Sequence, residues 1–292
     1  MIKMSNRPLK RIAVLGTGIM GAAVAINLQK NGFEVNVWNR TKEKSDKLKS
    51  YGITAFDTAQ EAVQSSDAII TFLKDGPTVL KVMQSIAKEL TNSMIWLQMS
   101  TVGLFIDHLI DFSNSHNLTF YDIPVQGTKQ PAEQGQLTLM VSSTQTDDNK
   151  LTPIFDAIGK QTFWISDKPG ASSRLKLALN SWVATLTHGV AESLTLAQGL
   201  DLDPQWVIDI ISGGPMDSLY FQQKSKAVVE NDYTTNFSVN NALKDSEIVL
   251  EAAKKEELQL DIAKAGLERY LRAVKKGYGD KDMTASALVS KL

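Results

Sequence analysis

Short apolar runs alternate with amphipathic stretches over the first half of the chain. The runs are rich in β-branched or aromatic residues, which is typical of buried strands. They are Ile12–Leu15, Val35–Trp38, Ala68–Leu73, Met94–Met99, Thr119–Val125 and Leu137–Val141. Helical periodicity lies between them, at Met20–Lys30, Lys42–Ser50, Pro77–Leu90 and Leu104–Asn114. Alternation of this kind predicts right-handed βαβ crossovers and a largely parallel sheet.

The strand pattern stops after Pro169, and the rest of the chain has helical periodicity. Ala171 to about Gly199 is predicted to form one long helix that ends at the glycine. Further helices are predicted at Pro204–Ile211, Leu219–Glu230, Leu243–Glu257, Ile262–Lys275 and Lys281–Leu292. We therefore predict an α/β protein with a flexible basic tail over residues 1–10, a parallel-sheet domain over 11–168 and an all-helical domain over 169–292.

Composition excludes several classes of function. The chain has 292 residues, and its 31 basic and 32 acidic side chains give a net charge of −1. Nucleic-acid binding needs clustered Lys and Arg, so a nucleic-acid partner is not predicted. The chain has no cysteine, which excludes disulfides, thiolate zinc sites and cysteine nucleophiles. Its three histidines lack the spacing of a metal site, so no metal is predicted.

The start of the chain has an alternative interpretation. A basic segment precedes the mostly apolar stretch from Ile12 to Leu28, which resembles a secretory signal or a short membrane span. Three glycines within six positions weaken both readings, because glycine is a poor helix former. We therefore predict a cytoplasmic protein with no membrane partner.

A glycine-rich turn follows the first predicted strand. The sequence Gly16-Thr17-Gly18-Ile19-Met20-Gly21 joins Ile12–Leu15 to the next helix. Gly16 permits a tight turn, Gly18 lets a pyrophosphate approach the backbone, and Gly21 allows close packing of helix and strand. All six residues are predicted to bind a dinucleotide, and the domain is predicted to be Rossmann-type. A purely structural glycine turn is the alternative.

The second predicted strand ends in Asn39-Arg40-Thr41. In an NAD site, an acidic residue near this position binds the ribose 2′-hydroxyl. Asn39 stands there instead, and Arg40 and Thr41 can bind a 2′-phosphate that a carboxylate would repel. The pattern predicts NADP as the cofactor, bound by these three residues. In the alternative, Thr41 caps the next helix and Arg40 is solvated.

Five motifs in a fixed order give the chain a family resemblance. They are Gly16-x-Gly18-x-x-Gly21, Ser100-Thr101, Asp122-x-Pro124-Val125-x-Gly127, Lys176-x-x-x-Asn180 and Lys244-Asp245. Together they resemble the β-hydroxyacid dehydrogenase family, which includes 6-phosphogluconate and 3-hydroxyisobutyrate dehydrogenases. Within it, Trp38–Thr41 and Lys129–Leu137 look most like the glyoxylate/succinic semialdehyde reductases. The resemblance implies NADPH-dependent reduction of small carboxy-aldehydes.

The family also implies the catalytic residues. Lys176 would stabilise the alkoxide that forms on a reduced carbonyl and supply its proton. Asn180, four residues further and on the same helix face, would bind substrate or hold the lysine. The alternatives are a lysine that extends to solvent and an interhelical polar contact.

The family resemblance also implies contacts to the cofactor and to the substrate. Leu73, Lys74, Thr78, Thr101 and Lys244 would bind the cofactor. The substrate would be bound by Ser100, Gln126, Gly127 and Thr128. Ser100 and Thr101 could instead cap a helix before Leu104, and Lys244 could be a solvated helix residue.

The substrate loop departs from the family pattern, which usually has Ser at position 126. Gln126 can donate a hydrogen bond, but its longer side chain fills space that a small acid would occupy. The sequence therefore predicts an NADPH-dependent reductase of small carboxylate-bearing aldehydes, ketones or 3-hydroxyacids, acting as a homodimer or homotetramer. The alternatives are an imine reductase of the same fold and a non-catalytic NADPH-binding scaffold.

Overall fold

A computed structural model describes residues 8–144 and 149–290. Residues 1–7 of the predicted basic tail lie outside the described residues. The strands are β1 Arg11–Leu15, β2 Glu34–Trp38, β3 Thr54–Ala55, β4 Ala68–Thr71, β5 Ile95–Gln98, β6 Thr119–Asp122, β7 Val125–Gln126, β8 Leu137–Ser142 and β9 Gly159–Ser166. They form one sheet, as the α/β prediction requires.

The helices fall into two groups along the chain. Those between strands are α1 Ile19–Lys30, α2 Lys42–Asp46, α3 Ala59–Val63, α4 Gly76–Ser85, α5 Ile106–Ser115, α6 Lys129–Glu133 and α7 Thr152–Ile158, with 3-10 helices at Lys47–Tyr51, Ala87–Glu89 and Gly103–Phe105. Those after the sheet are α8 Ala171–Gly199, α9 Gln205–Ile211, α10 Leu219–Val229, α11 Val239–Lys255 and α12 Asp261–Lys275, with a 3-10 helix at Met283–Val289. The chain divides into two compact units between Lys176 and Leu177, within α8.

The strand order is β3-β2-β1-β4-β5-β6-β8-β7, and β9 pairs with β8. The parallel sheet that the sequence predicts is confirmed from β3 across to β6. In contrast, β8 is antiparallel to β6 and β7, because the short connection through α6 reverses the chain without a full crossover. Strand β9, which pairs in parallel with β8, was not predicted from the sequence.

Apolar cores cover both faces of the sheet. Ile12 and Val14 belong to one buried cluster, and Ala13 and Leu15 belong to the other. Successive strand residues point to opposite faces, so a strand covered on both sides is continuously apolar. This explains why the apolar runs of the first half could be recognised in the sequence. β9 gave a weaker signal, since most of its residues are exposed.

The C-terminal unit has helices and no strand among its described residues, apart from an isolated bridge between Ser238 and Asp282. Its last predicted helix is wrong: Lys281–Leu292 is replaced by the 3-10 helix Met283–Val289, and residues 291 and 292 lie outside the described residues. The buried Asp282 carboxylate accepts hydrogen bonds from the Thr284 backbone and hydroxyl, which fixes a turn at the point where an α-helix was expected.

Several large apolar side chains of this unit are exposed. They include Trp182, Leu196, Leu200, Leu202, Trp206, Ile210, Met216, Leu219, Leu258 and Ile262. Exposed apolar area is typical of interaction surfaces, but the homodimer or homotetramer stays a prediction. Within the described part of the chain, no helix is long and apolar enough to cross a membrane.

Candidate active site

The predicted cofactor residues of the first unit follow the strand ends along one edge of the sheet. β1, β2, β4 and β5 are parallel, so the segments that follow their carboxyl ends emerge on the same side. Ligands of open α/β sheets bind at this edge. The glycine turn, the segment from Asn39, the segment from Leu73 and the segment from Ser100 each begin within two residues of a strand end.

The glycine turn is built by two close backbone approaches. Gly16 has φ +102°, and a Cβ there would lie 2.2 Å from the Phe72 carbonyl oxygen. A Cβ on Gly21 would lie 1.9 Å from the carbonyl oxygen of Gly16. A Cβ on Gly18, by contrast, would have no neighbour within 4 Å among the described residues. Gly16 and Gly21 are thus required by packing, whereas the surface at Gly18 is open to a ligand.

The start of α1 fits a pyrophosphate. Gly18 is the N-cap and provides no side-chain hydrogen bond, and the first turn, which includes Ile19 and Met20, has no acidic residue. The first N–H groups of a helix carry a partial positive charge that favours anions. The hydroxyl of Thr17 is buried without a hydrogen-bond partner among the described residues, so it is a further donor at this point.

An asparagine amide ties the second strand end to the glycine turn. Asn39 Oδ1 accepts a 3.1 Å hydrogen bond from the Thr17 backbone, and its Nδ2 donates to the Thr41 carbonyl oxygen at 2.9 Å. Thr41 is the N-cap of α2, but its hydroxyl makes no capping hydrogen bond. The helix therefore does not use this hydroxyl. Arg40 is exposed beside it.

The neighbouring lysine is engaged elsewhere. Lys42 forms an exposed ion pair with Asp57. The hydrogen bond and charge of Asp57 raise the pKa of Lys42, and those of Lys42 lower the pKa of Asp57. Arg40 is therefore the better placed of these two cations to bind a phosphate at the end of β2.

The residues after β4 and β5 are linked through a buried serine. The Ser100 hydroxyl donates to the Thr71 carbonyl oxygen at 3.1 Å and accepts from the Leu73 backbone at 2.9 Å. A contact with substrate would have to use its remaining lone pair. Thr101 is half-buried. Neither residue caps a helix, because the N-cap of the following 3-10 helix is Val102.

The other predicted cofactor residues after β4 are more accessible. Lys74 is exposed and Leu73 is half-buried. Thr78 lies in the first turn of α4, where its backbone and hydroxyl both donate to Asp75, at 2.9 and 2.5 Å. Thr78 thus belongs to the cap of α4, and a cofactor would have to share its hydroxyl.

A buried carboxylate anchors the helix that carries the predicted catalytic lysine. Asp122, at the end of β6, is fully buried. It accepts hydrogen bonds from the Ser173 backbone at 2.8 Å, the Ser173 hydroxyl at 2.6 Å and the Ser142 hydroxyl at 3.2 Å. Burial raises its pKa to about 6, although these hydrogen bonds act in the opposite direction. Asp122 therefore fixes the first turn of α8.

Lys176 lies one turn further along α8 and is buried, with 8% of its surface exposed. Its Nζ donates a 2.8 Å hydrogen bond to Oε1 of Gln126, the last residue of β7. The alternative of a solvated lysine does not fit this burial. The structure thus brings together Lys176 and Gln126, which the sequence had assigned to catalysis and to the substrate.

The loop after Gln126 is held in one shape. Gly127 has φ +137°, and a Cβ there would lie 2.8 Å from the Leu137 side chain. Thr128 is the N-cap of α6, and its side chain makes no capping hydrogen bond. On the other side, Gln126 pairs with Thr138 in the sheet. The backbone at Gln126 is therefore fixed from both directions.

In the C-terminal unit, Asp245 joins two predicted site residues. Asn180 Nδ2 donates to Asp245 Oδ2 at 3.0 Å, and Lys244 Nζ lies 2.6 Å from Asp245 Oδ1. Asp245 is itself buried. In this contact the amide nitrogen of Asn180 faces the Asp245 carboxylate. The side-chain carbonyl oxygen of Asn180 therefore points away from Asp245. Lys244 is thus in an ion pair and is not a solvated helix lysine.

Asp122 and Asp245 stand within the sequence motifs, but no role was predicted for either of them. A signal existed for both, since an acidic residue beside an apolar run is costly to bury unless it has partners. Their partners are distant in sequence, so the spacing of residues could not identify them. Among the described residues, no group of three or more His, Asp or Glu side chains could hold a metal ion.

Comparisons with known proteins identify the family of the chain. The NAD binding domain of 6-phosphogluconate dehydrogenase matches residues 11–166, and the NAD-binding domain of NADP-dependent 3-hydroxyisobutyrate dehydrogenase matches residues 170–290. Glyoxylate/succinic semialdehyde reductase 1 of Arabidopsis thaliana is 29% identical over 94% of this chain and 96% of its own length. The chloroplastic reductase 2 is 30% identical over 94% of this chain and 77% of its own.

A solved structure resembles the whole fold. The 3-hydroxyisobutyrate dehydrogenase of Salmonella typhimurium has a TM-score of 0.87 and 25% identity, over 96% of this chain and 99% of that protein. The family models and the reductases likewise extend across both units. The chain therefore belongs to the β-hydroxyacid dehydrogenase family of NAD(P)-dependent oxidoreductases.

Proposed function

We propose that the protein is an NADPH-dependent reductase of small carboxylate-bearing aldehydes and ketones, with Lys176 as the proton donor. The observation that carries the proposal is the buried Lys176 ammonium, held 2.8 Å from the neutral amide of Gln126. A buried ammonium held in one position can donate a proton to a reacting oxygen. Carbonyl reduction requires such a donor.

The chemistry follows from where charge develops. NADPH, when bound, supplies the hydride that adds to the carbonyl carbon. The carbonyl oxygen then becomes negative, and an adjacent ammonium stabilises that charge and donates its proton. Asn180, one helical turn from Lys176, is proposed to hold the same oxygen or the lysine, with its amide oriented by Asp245.

The cofactor is proposed to lie along the sheet edge. The first turn of α1 and the open surface at Gly18 fit the pyrophosphate, and Thr17 offers an unpartnered hydroxyl. Arg40 is proposed to bind a 2′-phosphate together with the hydroxyl of Thr41, which makes no capping hydrogen bond to α2. Leu73, Lys74, Thr78, Thr101 and Lys244 are proposed as further cofactor contacts.

Substitution of Arg40 tests the choice of cofactor. Arg40→Ala removes a charge-assisted hydrogen bond to the 2′-phosphate, a contact worth about 1.5–3 kcal/mol, so the KM for NADPH should rise about 10- to 100-fold. The KM for NADH, which lacks this phosphate, should stay nearly unchanged. Steady-state kinetics with both cofactors measure the ratio.

The matched control is Lys30→Ala, which removes the same charge at the far end of α1. Lys30 is exposed, so this variant should affect neither cofactor. An equal loss of NADPH and NADH in Arg40→Ala would remove Arg40 from the 2′-phosphate site.

A substrate screen tests the reaction itself. NADPH oxidation should be measured with glyoxylate, succinic semialdehyde, other 2- and 3-oxoacids, aldehydes without a carboxylate, and cyclic imines. We expect turnover to be confined to the carboxylate-bearing carbonyls. Turnover of imines alone would replace the proposal with imine reduction, and tight NADPH binding without any turnover would support a scaffold.

A further inference from the structure

We propose that Gln126 is a positioning and specificity-determining residue. The oxygen of its side-chain amide holds the Lys176 ammonium, and the nitrogen of the same amide donates a hydrogen bond to the substrate oxygen next to the reacting carbonyl. This inference rests on the proposed function, because it assumes that Lys176 faces the reacting oxygen. It makes the substrate class narrower: the site selects 2-oxoacids over acids whose carbonyl is several carbons from the carboxylate.

The orientation of the amide is unambiguous. An ammonium only donates hydrogen bonds, so the Gln126 atom that lies 2.8 Å from Nζ must be the carbonyl oxygen. The amide nitrogen is bonded to the same carbon as this oxygen, so the two N–H donors of Gln126 Nε2 lie beside the Lys176 contact. Among the described residues, no acceptor is hydrogen-bonded to this nitrogen.

Gln126 and Lys176 both lie on backbone segments that other contacts hold in place. The backbone of Gln126 is fixed by its pairing with Thr138 and is followed by the positive-φ turn at Gly127. The helix of Lys176 is fixed by the hydrogen bonds between Ser173 and Asp122. The flexible lysine side chain thus ends against a rigidly placed oxygen. A general acid must hold its proton within hydrogen-bond reach of the reacting atom, so this placement serves catalysis.

The geometry also sets the spacing of substrate acceptors. Lys176 Nζ and Gln126 Nε2 are separated by one hydrogen bond and the width of one amide. A ligand that binds both donors must have its two acceptor oxygens close together. The carbonyl and carboxylate oxygens of a 2-oxoacid sit on adjacent carbons and satisfy this requirement. In a 4-oxoacid, two methylene groups separate them.

A binding experiment without turnover tests the spacing. Oxamate mimics a 2-oxoacid and succinate mimics the longer chain, and neither is reduced. Calorimetry on the NADPH-bound protein should show that oxamate binds more tightly. Gln126→Met keeps the length of the side chain but cannot hydrogen-bond, so it should weaken oxamate binding about tenfold and succinate binding less than about twofold. Equal effects on the two ligands would overturn the specificity role.

The pH dependence of turnover tests the positioning role. Gln126→Glu places a carboxylate against the ammonium, which should retain its proton to higher pH, so the alkaline fall in kcat should move up by about one pH unit. In Gln126→Met the alkaline fall in kcat should move to lower pH. An unchanged pH profile in both variants would overturn the positioning role, since a merely structural residue would lower stability without moving it.

The two proposals fail in different ways. If the wild-type protein reduces none of the carbonyl substrates, the proposed function is wrong, whatever the ligand preference. If it reduces them but Gln126→Met leaves the oxamate preference intact, only the role of Gln126 is wrong. Thermal unfolding of each variant accompanies these measurements, and Gln126→Asn, which keeps both amide functions on a shorter arm, should recover part of the oxamate preference in a folded protein.

Discussion

Lys176→Ala is expected to lower kcat for aldehyde reduction by about 10²- to 10⁴-fold, the usual contribution of a positioned general acid. The developing alkoxide would lose both its stabilising charge and its proton source. NADPH binding should survive, because the glycine turn and Arg40 lie at other strand ends. Stopped-flow or steady-state rates, together with NADPH titration by fluorescence, measure the two effects separately.

Two further variants make this result specific. Lys176→Met keeps the volume of the buried side chain and should be as inactive as Lys176→Ala, which separates charge from packing. Lys168→Ala removes an exposed lysine from the same unit and should leave turnover unchanged. If Lys176→Met retained wild-type kcat, proton donation would have to be assigned to another group.

Lys224→Met is expected to destabilise the C-terminal unit by about 3–5 kcal/mol, because it strands the buried carboxylate of Asp282. The two side chains are 9% and 4% exposed, and their charged atoms lie 2.8 Å apart. Asp282 also accepts hydrogen bonds from the backbone of Asn236 and Phe237. It cannot leave this position without breaking the turn, so the unpaired charge remains buried. Urea unfolding followed by circular dichroism measures the loss.

The pH dependence of this effect has a definite sign. Burial acts to raise the pKa of Asp282, but the charge and hydrogen bond of Lys224 and the hydrogen bonds of Thr284 outweigh it, so the pKa is lowered. The wild-type pair therefore stabilises the fold above the unfolded pKa, about 3.9, and this contribution is lost as the pH falls through the folded pKa. In Lys224→Met the buried carboxyl lacks its cation and its pKa is expected to rise, so the difference from wild type should begin to shrink above about pH 4 and shrink further below it.

The same helix provides the control. Lys226 forms an exposed pair with Glu230 at 3.8 Å, and surface pairs contribute at most about 1 kcal/mol. Lys226→Met should thus change the unfolding free energy little at any pH. A loss in Lys224→Met no larger than that of Lys226→Met would mean that the Lys224–Asp282 pair does not stabilise this unit.

The sequence was informative where neighbours along the chain determine the structure. Residues such as Ile12 and Leu15 lie in a strand buried on both faces, so the apolar run alone indicated the strand, and the parallel sheet from β3 to β6 is confirmed. The family and the oxidoreductase class are also confirmed. Gly21 packs against the backbone of Gly16, five residues earlier, so the spacing of these two glycines carries that information.

Contacts between distant residues could not be predicted. Asp122 and Ser173 are 51 residues apart, and Gln126 and Lys176 are 50 apart. No periodicity links such pairs, so the anchor of α8 and the partner of the lysine appear only in the structure. The final 3-10 helix could not be predicted for the same reason, because Asp282, which precedes it, is held by Lys224, 58 residues away. Local propensity favoured an α-helix, and a tertiary contact prevailed.

The anchoring of α8 by Asp122 has a consequence for biosynthesis. Every strand of the sheet ends before residue 167, whereas Ser173 and Lys176 follow it. Because a nascent chain leaves the ribosome from its N-terminus and its domains fold in that order, the nucleotide-binding edge can form before the anchor of α8 exists. Lys176, the proposed proton donor, is thus the last residue of the first unit to be added, so the proposed nucleotide site can form before the proposed catalytic residue is in place.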